Sequence, residues 1–534
     1  MRYLARALLC LPVLVVGWAS AQVERWSVTY GPTQSLVKTF ALGFDQPGNV
    51  YLAGEAGGQL FMYDEFTVIS LTAAGRQRWV YQRGGTAGGF DAATSFARGP
   101  GDRLYAAGYL LEYGAIQYFT VIGLDTLGNE HWVHQYNGSN AVYNRANALI
   151  CGVDGRAYAA GQVRDPGGFG SFDFTVICVD SAGSRRWAYR YDGATHYDDE
   201  AAAIAQGVDG HLYVAGYIRQ TSSHNDLAVV SLDTAGNQRW LYTPGVGESW
   251  ATGVACGSDG SIYVGGTALF STPDLVVFCL TPDGQRRWHY RHASPKSGTA
   301  VANAVAVGPD GNIYAAGQAY ETSRYFTDLV VASIDTAGRE RWVYTVPGPG
   351  AGGVTGDAAV ALAFGTDGSV YAAGRMWKNS DSCSFVVVCL DTAGRHLWTY
   401  SRPAGYGEAN TVGCDPDGNV YAGGSENAGG RPRYVLLVSL EPSSGIAEEL
   451  TQEPDLERVT PNVTVVRGAL FLPVTSERRT ATAELLDAAG RRVMALHPGA
   501  NDVSGLVPGV YFMRGGPQAT SLKPQSIRKV VIAR

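Results

Sequence analysis

The feature that most constrains this chain is one strand found at the wrong end of a repeat. A Tyr followed two residues later by Ala-Gly or Gly-Gly recurs at Tyr51, Tyr105, Tyr158, Tyr213, Tyr263, Tyr314, Tyr371 and Tyr421. After each comes an apolar run and a turn, as in VVSLDTAG (229–236). Seven of these units then end in a tryptophan segment: Trp79/Tyr81, Trp132, Trp187/Tyr189, Trp240/Tyr242, Trp288/Tyr290, Trp342/Tyr344 and Trp398/Tyr400. The last unit stops at VLLVSLEPSSG (435–445) without one, while a lone copy, Trp26 to Tyr30, precedes the first unit. Circular closure makes the surplus segment at the front and the missing one at the back the same strand.

Within a unit, an Ala-rich stretch meets a turn, usually Asp-Gly (Asp154-Gly155, Asp209-Gly210, Asp259-Gly260, Asp310-Gly311, Asp367-Gly368, Asp417-Gly418). The Tyr strand, a variable loop, a Val/Ile run, a Thr-Ala-Gly-like turn and the Trp strand follow. Four short antiparallel strands, a to d, in about 50 residues match the period of propeller blades rather than helical solenoids. Strand c is apolar on both alternations (LVVFCL, 275–280; VVVCLD, 386–391), as a sheet sandwiched between neighbours requires. The expected fold is all-β: an eight-bladed β-propeller closed by the N-terminal strand, its exposed edges removed by closure, followed by a small immunoglobulin-like β-sandwich.

The predicted organisation is a signal peptide over 1–21, the propeller over 22–442, an acidic, Pro-containing linker over 443–458 and the sandwich over 459–534. Arg2 and Arg6 precede an apolar run (7–18), and Ala19-Ser20-Ala21 supplies small residues for cleavage. That run is shorter than the ~20 residues a membrane span needs, so no transmembrane segment is expected in the mature chain. A net charge of −7 and a pI near 5.8 leave no electrostatic footprint for nucleic acid. Seven cysteines remain beyond Cys10. Cys151 with Cys178, and Cys256 with Cys279, fall on strands a and c of one blade, ~9.6 Å apart and beyond disulfide reach.

Strand alternation puts the a–b and c–d turns on one rim and the variable b–c and d–a loops on the other. Variable loops on a rigid scaffold are where recognition resides, so the variable rim is the expected binding face. Its b–c loops carry Phe61, Tyr63, Tyr109, Tyr113, Tyr118, Tyr217, Phe270, Tyr320, Tyr325 and Trp377; its d–a loops carry Tyr143, Tyr197 and Trp250. The candidate ligand-binding residues are Tyr63, Tyr113, Tyr197, Trp250, Tyr320 and Trp377, near Asp198, Asp199, Glu248 and Glu321. Such a surface suits an extracellular glycan, peptide or protein.

No catalytic constellation emerges: there is no Gly-x-Ser-x-Gly elbow, His-Glu-x-x-His or phosphate-cradling loop. The aspartates opening strand c (Asp173, Asp226, Asp274, Asp328) recur from blade to blade, which points to hydrogen bonds within their own turns. No metal site or cofactor is expected. Asp415-Pro416-Asp417-Gly418 faintly resembles a calcium loop without its downstream glutamate, and Ca²⁺ there stays open. His131, His134, His289 and His396 lie in or beside the Trp strand, where packing against a neighbouring blade accounts for them.

Two resemblances add to this. GNVYLAG (48–54), DFTVICVD (173–180) and the Gly-x-x-Arg-Trp-x-Tyr ending are similar to bacterial extracellular β-propeller repeats of the SBBP type, a family without assigned chemistry. A rival likeness is to quinoprotein dehydrogenases, whose tryptophan-docking motif resembles Asp233, Gly236 and Trp240, although the spacing is one residue shorter and the adjacent Cys-Cys pair is missing; the docking Trp is structural on this reading. LLDAAGRRV, GVYFMR and RKVVIAR resemble the C-terminal sorting domain of type IX secretion cargo, with an added Gly-Pro-Gln segment (515–525). That resemblance implies delivery through the secretion machinery to the outer-membrane surface or medium, or a periplasmic location if the machinery is missing. Three classes remain open: a binding or adhesion propeller, an extracellular propeller enzyme (a glycan lyase or hydrolase, or a quinoprotein-like oxidoreductase) with its site on the variable rim, and an architectural envelope protein.

Overall fold

The computed structural model describes residues 24–440 apart from 31–37, 58–63, 115, 139–142, 165–170, 194, 222–223, 271, 295–297, 321–325, 347–355, 380–381, 404 and 428–432; beyond 440 it describes 464–466, 469–472, 483–486, 491–496, 499–502, 509–515 and 527–532. The predicted signal peptide, the linker, the Gly-Pro-Gln segment, Phe61, Tyr63, Glu321 and Tyr325 lie outside the described residues. The chain divides into two compact units, Met1–Ser444 and Gly445–Arg534.

Every described element of the first unit is a strand, and the unit is a β-propeller. The first blade runs Lys38–Phe44, Val50–Gly57, Asp64–Leu71 and Gln77–Arg83, each strand antiparallel to the one before it. Five more four-stranded meanders follow over 92–136, 144–191, 200–242, 249–292 and 301–346. The next, over 358–403, is joined to a closing sheet by a single bridge, Cys383 to Tyr406. The closing sheet takes three strands from residues 406–440 and its fourth from the front of the chain: Glu24–Tyr30 pairs antiparallel with Arg433–Leu440, Ser27 opposite Val438 and Tyr30 opposite Val435. Each strand a packs on strand a of the next blade, and Tyr406–Cys414 packs on Lys38–Phe44, which completes the circle.

The repeat signature has a physical cause. Every strand a carries a β-bulge just after the residue that pairs with the glycine of the strand b Tyr-x-x-Gly, as between Ala146, opposite Gly161, and Ala148. The bulge drives a strand a carbonyl onto the glycine of the strand b Tyr-x-x-Gly: a Cβ on Gly161 would lie 2.1 Å from the Arg145 carbonyl oxygen, and one on Gly374 1.9 Å from that of Ala358. Only glycine fits there. The bulged residue, when polar, stitches one blade to the next. Asn147 Nδ2 donates to the Ala201 carbonyl (2.8 Å), Asn303 Nδ2 to that of Ala359 (2.8 Å) and Thr94 Oγ1 to that of Ala146 (2.7 Å).

Strand c is buried along nearly its whole length, so its apolar faces fill the layers on both sides of each blade. The strand d tryptophan sits over the c–d turn of the following blade. Trp240 Nε1 donates to the Pro282 carbonyl (2.9 Å), its ring covers Gly284 (φ +85), and it lies 5.8 Å from Tyr213. Trp26 of the displaced strand repeats this on the first blade, with Nε1 to the Ala73 carbonyl (3.1 Å), the ring over Gly75, and Tyr421 at 5.8 Å. The docking partner therefore belongs to the next blade, so the Asp233–Gly236 turn serves Trp187 and not Trp240.

The cysteines at 151, 178, 256, 279, 383, 389 and 414 are free thiols. Burial pushes Cys178 and Cys256 up to about 12. In the second unit, a five-stranded sheet combines Thr464–Val466, Ile527–Ile532, Gly509–Gly515, Ala483–Leu486 and Arg492–Leu496 in that spatial order. A two-stranded sheet pairs Ala469–Leu472 with Gly499–Asp502.

Candidate functional site

The variable rim is built on a device that the sequence reading missed. At the end of a d–a loop, one buried polar side chain accepts the backbone N–H of the residue twenty positions on, at the outer end of strand b. Asp91 holds Leu111 (2.5 Å), Asn144 holds Arg164 (3.0 Å), Asp199 holds Arg219 (2.8 Å) and Asp357 holds Trp377 (2.6 Å). Asp91 and Asp199 also accept the N–H of Gly85 (2.6 Å) and Gly193 (2.7 Å) from their own loops. Each clamp ties a d–a loop to the b–c hairpin of the next blade. The legible signal was an Asp or Asn at constant distance before Tyr105, Tyr158, Tyr213 and Tyr371.

Burial raises these carboxyls against the amides that favour their charge: Asp91 and Asp357 to about 6, Asp199 to about 7. Asp64, opening strand c of the first blade, is raised to about 6 by burial. Asp274 accepts from Thr272 Oγ1 of its own turn (2.7 Å), as expected, but these aspartates also reach further. Asp173 pairs with Arg190 and Asp274 with Arg291, both on strand d, while Asp226 accepts from Ser249 Oγ (3.3 Å). A long arginine on the adjacent strand neutralises the carboxylate better than a loop amide at that depth.

At the channel mouth, where each strand a begins, Glu200 accepts from Arg145 (2.9 Å), Asn147 (2.9 Å) and the Tyr217 hydroxyl (3.3 Å). Arg375 pairs with Glu408 across the seventh blade and the closing sheet. Asp415 accepts from the N–H groups of Asp417 and Asn419, from Asn419 Nδ2 and from the Tyr421 hydroxyl, so it organises its turn. Among the described residues no group of three His, Cys, Asp or Glu is placed to hold a metal ion.

The candidate aromatics separate into two sets. Tyr113 (87% exposed), Phe90 (60%), Tyr143 (51%) and Tyr197 (39%) stand out from the loops around the second, third and fourth blades. Arg164 lies over Tyr143 (5.9 Å) and Arg219 over Tyr197 (5.7 Å). Thr86 Oγ1 accepts the Tyr113 N–H (2.9 Å), and the Thr86 N–H reaches Glu112 (3.0 Å), so the loop bearing Phe90 is laced to the hairpin bearing Tyr113. Phe90 was not among the sequence candidates.

Trp250, Tyr320 and Trp377 are half-buried. Trp250 is not a loop residue: it lies in Ser249–Cys256, at the start of strand a. Trp377, Tyr109 and Tyr217 belong to ten-residue b strands, because those hairpins pair almost to their tips. Trp377 packs edge-on against Tyr406 (5.6 Å), and Tyr320 covers Gly298. Of the histidines, His396 stacks on Tyr344 of the preceding blade (5.8 Å), whereas His289 stacks on Phe270 and Phe278 of its own (5.8 Å each) and His131 is exposed.

Residues 170–376, less than half of the chain, match the protein-family model described as outer membrane protein assembly factor BamB. No curated protein matches. Similar solved structures include the β-propeller domain of the Trilobed protease from Pyrococcus furiosus (10% identity, 79% of this chain and 97% of that one, TM-score 0.38). A protein of unknown function from Dyadobacter fermentans is 10% identical over 79% of this chain and 98% of its own, with a TM-score of 0.39. The extracellular domain of a hybrid two component system from B. thetaiotaomicron is 10% identical over 92% of this chain and 68% of its own, with a TM-score of 0.37.

Proposed function

We propose that the chain is an exported, eight-bladed propeller that binds an extracellular glycan, peptide or protein through its variable rim, carried by a C-terminal sorting domain of immunoglobulin-like build. The blade count is supported by the pairing of Glu24–Tyr30 with the last strand and by the unbroken succession of strand a contacts around the channel. The single observation that carries the binding role is the arc of exposed rings on consecutive blades: Phe90, Tyr113, Tyr143 and Tyr197. Two of these rings carry an arginine. Wet, amphipathic contact area of this kind is what recognition surfaces use.

Catalysis is less well supported. The raised carboxyls of Asp91, Asp199 and Asp357 are held by backbone amides inside the loops, and Glu200 and Glu408 at the channel mouth are paired with Arg145 and Arg375. The matching family is described by assembly rather than by a reaction, in keeping with a partner-binding role. Export rests on the basic and apolar N-terminal run, and surface delivery on the three C-terminal segments. Of the original candidates, Tyr113 and Tyr197 keep their place with Phe90 and Tyr143; Trp250, Tyr320 and Trp377 support the loops beneath, and Tyr63 stays a candidate from sequence.

A glycan and peptide array probed with the mature chain tests the reading. The variant carrying Phe90→Ala, Tyr113→Ala and Tyr197→Ala should lose the signals seen with the wild type, with unchanged thermal stability. Equal signals from both proteins would overturn the rim assignment.

A further inference from the structure

The opposite rim, made of the regular turns, is sealed from inside in blade after blade. In the first, the Tyr51 hydroxyl donates to Asp45 (2.8 Å), and Arg78 donates to Tyr51 (3.1 Å), Ser70 (2.9 Å) and the Thr126 carbonyl of the next blade (3.1 Å). In the sixth, Tyr314 donates to Asp310 (2.8 Å), and Arg341 reaches Asp310 (3.0 Å), Ser333 (2.9 Å) and the Thr392 carbonyl (3.2 Å). The third blade draws its guanidinium from strand b: Arg156, two residues before Tyr158, lies 3.4 Å from Asp154, to which Tyr158 donates (2.6 Å).

The second blade keeps the tyrosine and that arginine, as Tyr105 and Arg103, and loses the rest. Its turn reads Gly99-Pro100-Gly101-Asp102, with Gly101 standing where the third blade has Asp154. Gly123 replaces the serine of strand c, and His131 the arginine of strand d. The Tyr105 hydroxyl turns away to the Gly155 carbonyl (3.1 Å). A cavity of about 350 Å³ remains, lined by Arg103, Tyr105, Leu124, His131, Trp132 and Ser181. Asp125, beside it, is held by the N–H groups of Leu127 and Asn129 and by Asn129 Nδ2, and His131 Nε2 lies 3.6 Å from it. Among the described residues Arg103 makes no ion pair.

We propose that this cavity binds a small carboxylate with an apolar body. The ligand's carboxylate supplies what Gly101 lacks, pairing with Arg103 as Asp154 pairs with Arg156. The body lies along Trp132 and Leu124, in the space left where His131 replaces the arginine of the first and sixth blades; the Trp132 indole itself closes over Gly123, where their serine stands. The site faces away from the variable rim and does not rest on the binding role assigned there.

The test uses 4-fluorobenzoate, followed by ¹⁹F relaxation with the full chain, and 4-fluorobenzamide as its neutral counterpart. A fragment of this size should bind with a Kd of about 1 mM, and the amide should not compete. Arg103→Gln should weaken the acid about tenfold or more. The double change Gly101→Asp with Asp102→Gly writes the third blade's Asp-Gly turn into the second, moving the positive φ from position 101 (+67) to position 102, and should abolish binding with a cooperative melt retained. No binding of the acid to the wild type, equal binding of acid and amide, or wild-type affinity in Arg103→Gln would each overturn the proposal.

Discussion

If the displaced strand seals the ring, replacing Trp26 by alanine should cost as much as replacing a tryptophan in the middle of the chain. Trp26 and Trp240 have matching surroundings: a half-buried indole over a turn glycine of the next blade, a tyrosine ring at 5.8 Å, and one Nε1 hydrogen bond, at 3.1 and 2.9 Å. Full burial of such a ring would put the loss near 3–5 kcal/mol. Partial exposure returns some of it, and the lost hydrogen bond contributes about 1 kcal/mol, so about 2–3 kcal/mol is expected at each position. Trp398, at 1% exposure, should cost more than either. Equilibrium urea unfolding of Trp26→Ala, Trp240→Ala and Trp398→Ala, compared at equal m-values, reads the order directly. A Trp26→Ala loss below about 0.5 kcal/mol beside a normal Trp240→Ala loss would mean that Glu24–Tyr30 is not bound as the eighth copy, and the closed ring would fall with it.

Asp199→Asn tests the rim clamps by pH. The folded protein holds Asp199 at about 7 against an ordinary 3.8, so the folded state binds the extra proton and the contribution is present in acid and lost as pH rises through 7. The wild type should therefore gain stability on going from pH 8 to pH 5 relative to the variant, by at most about 3 kcal/mol; parallel curves would refute the burial argument. Asn can keep the Arg219 contact, as Asn144 does for Arg164. At the bulges, Asn303→Ala should cost about 1–2 kcal/mol by stranding the Ala359 carbonyl, and Ala202→Asn should recover up to about 1 kcal/mol by adding the missing stitch; denaturation midpoints decide both. Cys178 and Cys279, fully buried and raised to about 12 and 11, should resist thiol labelling at pH 8 in the native protein and react in urea, as mass spectrometry would show.

The propeller was legible in the residues because its determinants are local and repeated. A period-2 strand c apolar on both faces, Asp-Gly turns, and one Trp segment too early are each set by nearest neighbours in sequence, so counting suffices to order the strands. Strand lengths were less legible: Tyr109, Tyr217 and Trp377 read as loop residues because nothing in their own stretch marks where hairpin pairing ends. The clamps of Asp91, Asp199 and Asp357 escaped notice for a similar reason, since each joins a loop to the next blade's hairpin and only the fold brings the two together.

What the sequence alone determined is therefore the repeat, its direction and its closure, since hydrophobic period and turn chemistry are properties of short segments. Tertiary structure decided which aromatics face water: Tyr113 and Tyr197 stand clear while Tyr320 and Trp377 lie down, because exposure depends on what the adjacent blade places beside each ring. It also decided that Arg103, Gly123 and His131 of the second blade line one cavity, because they meet only after three strands have been laid side by side.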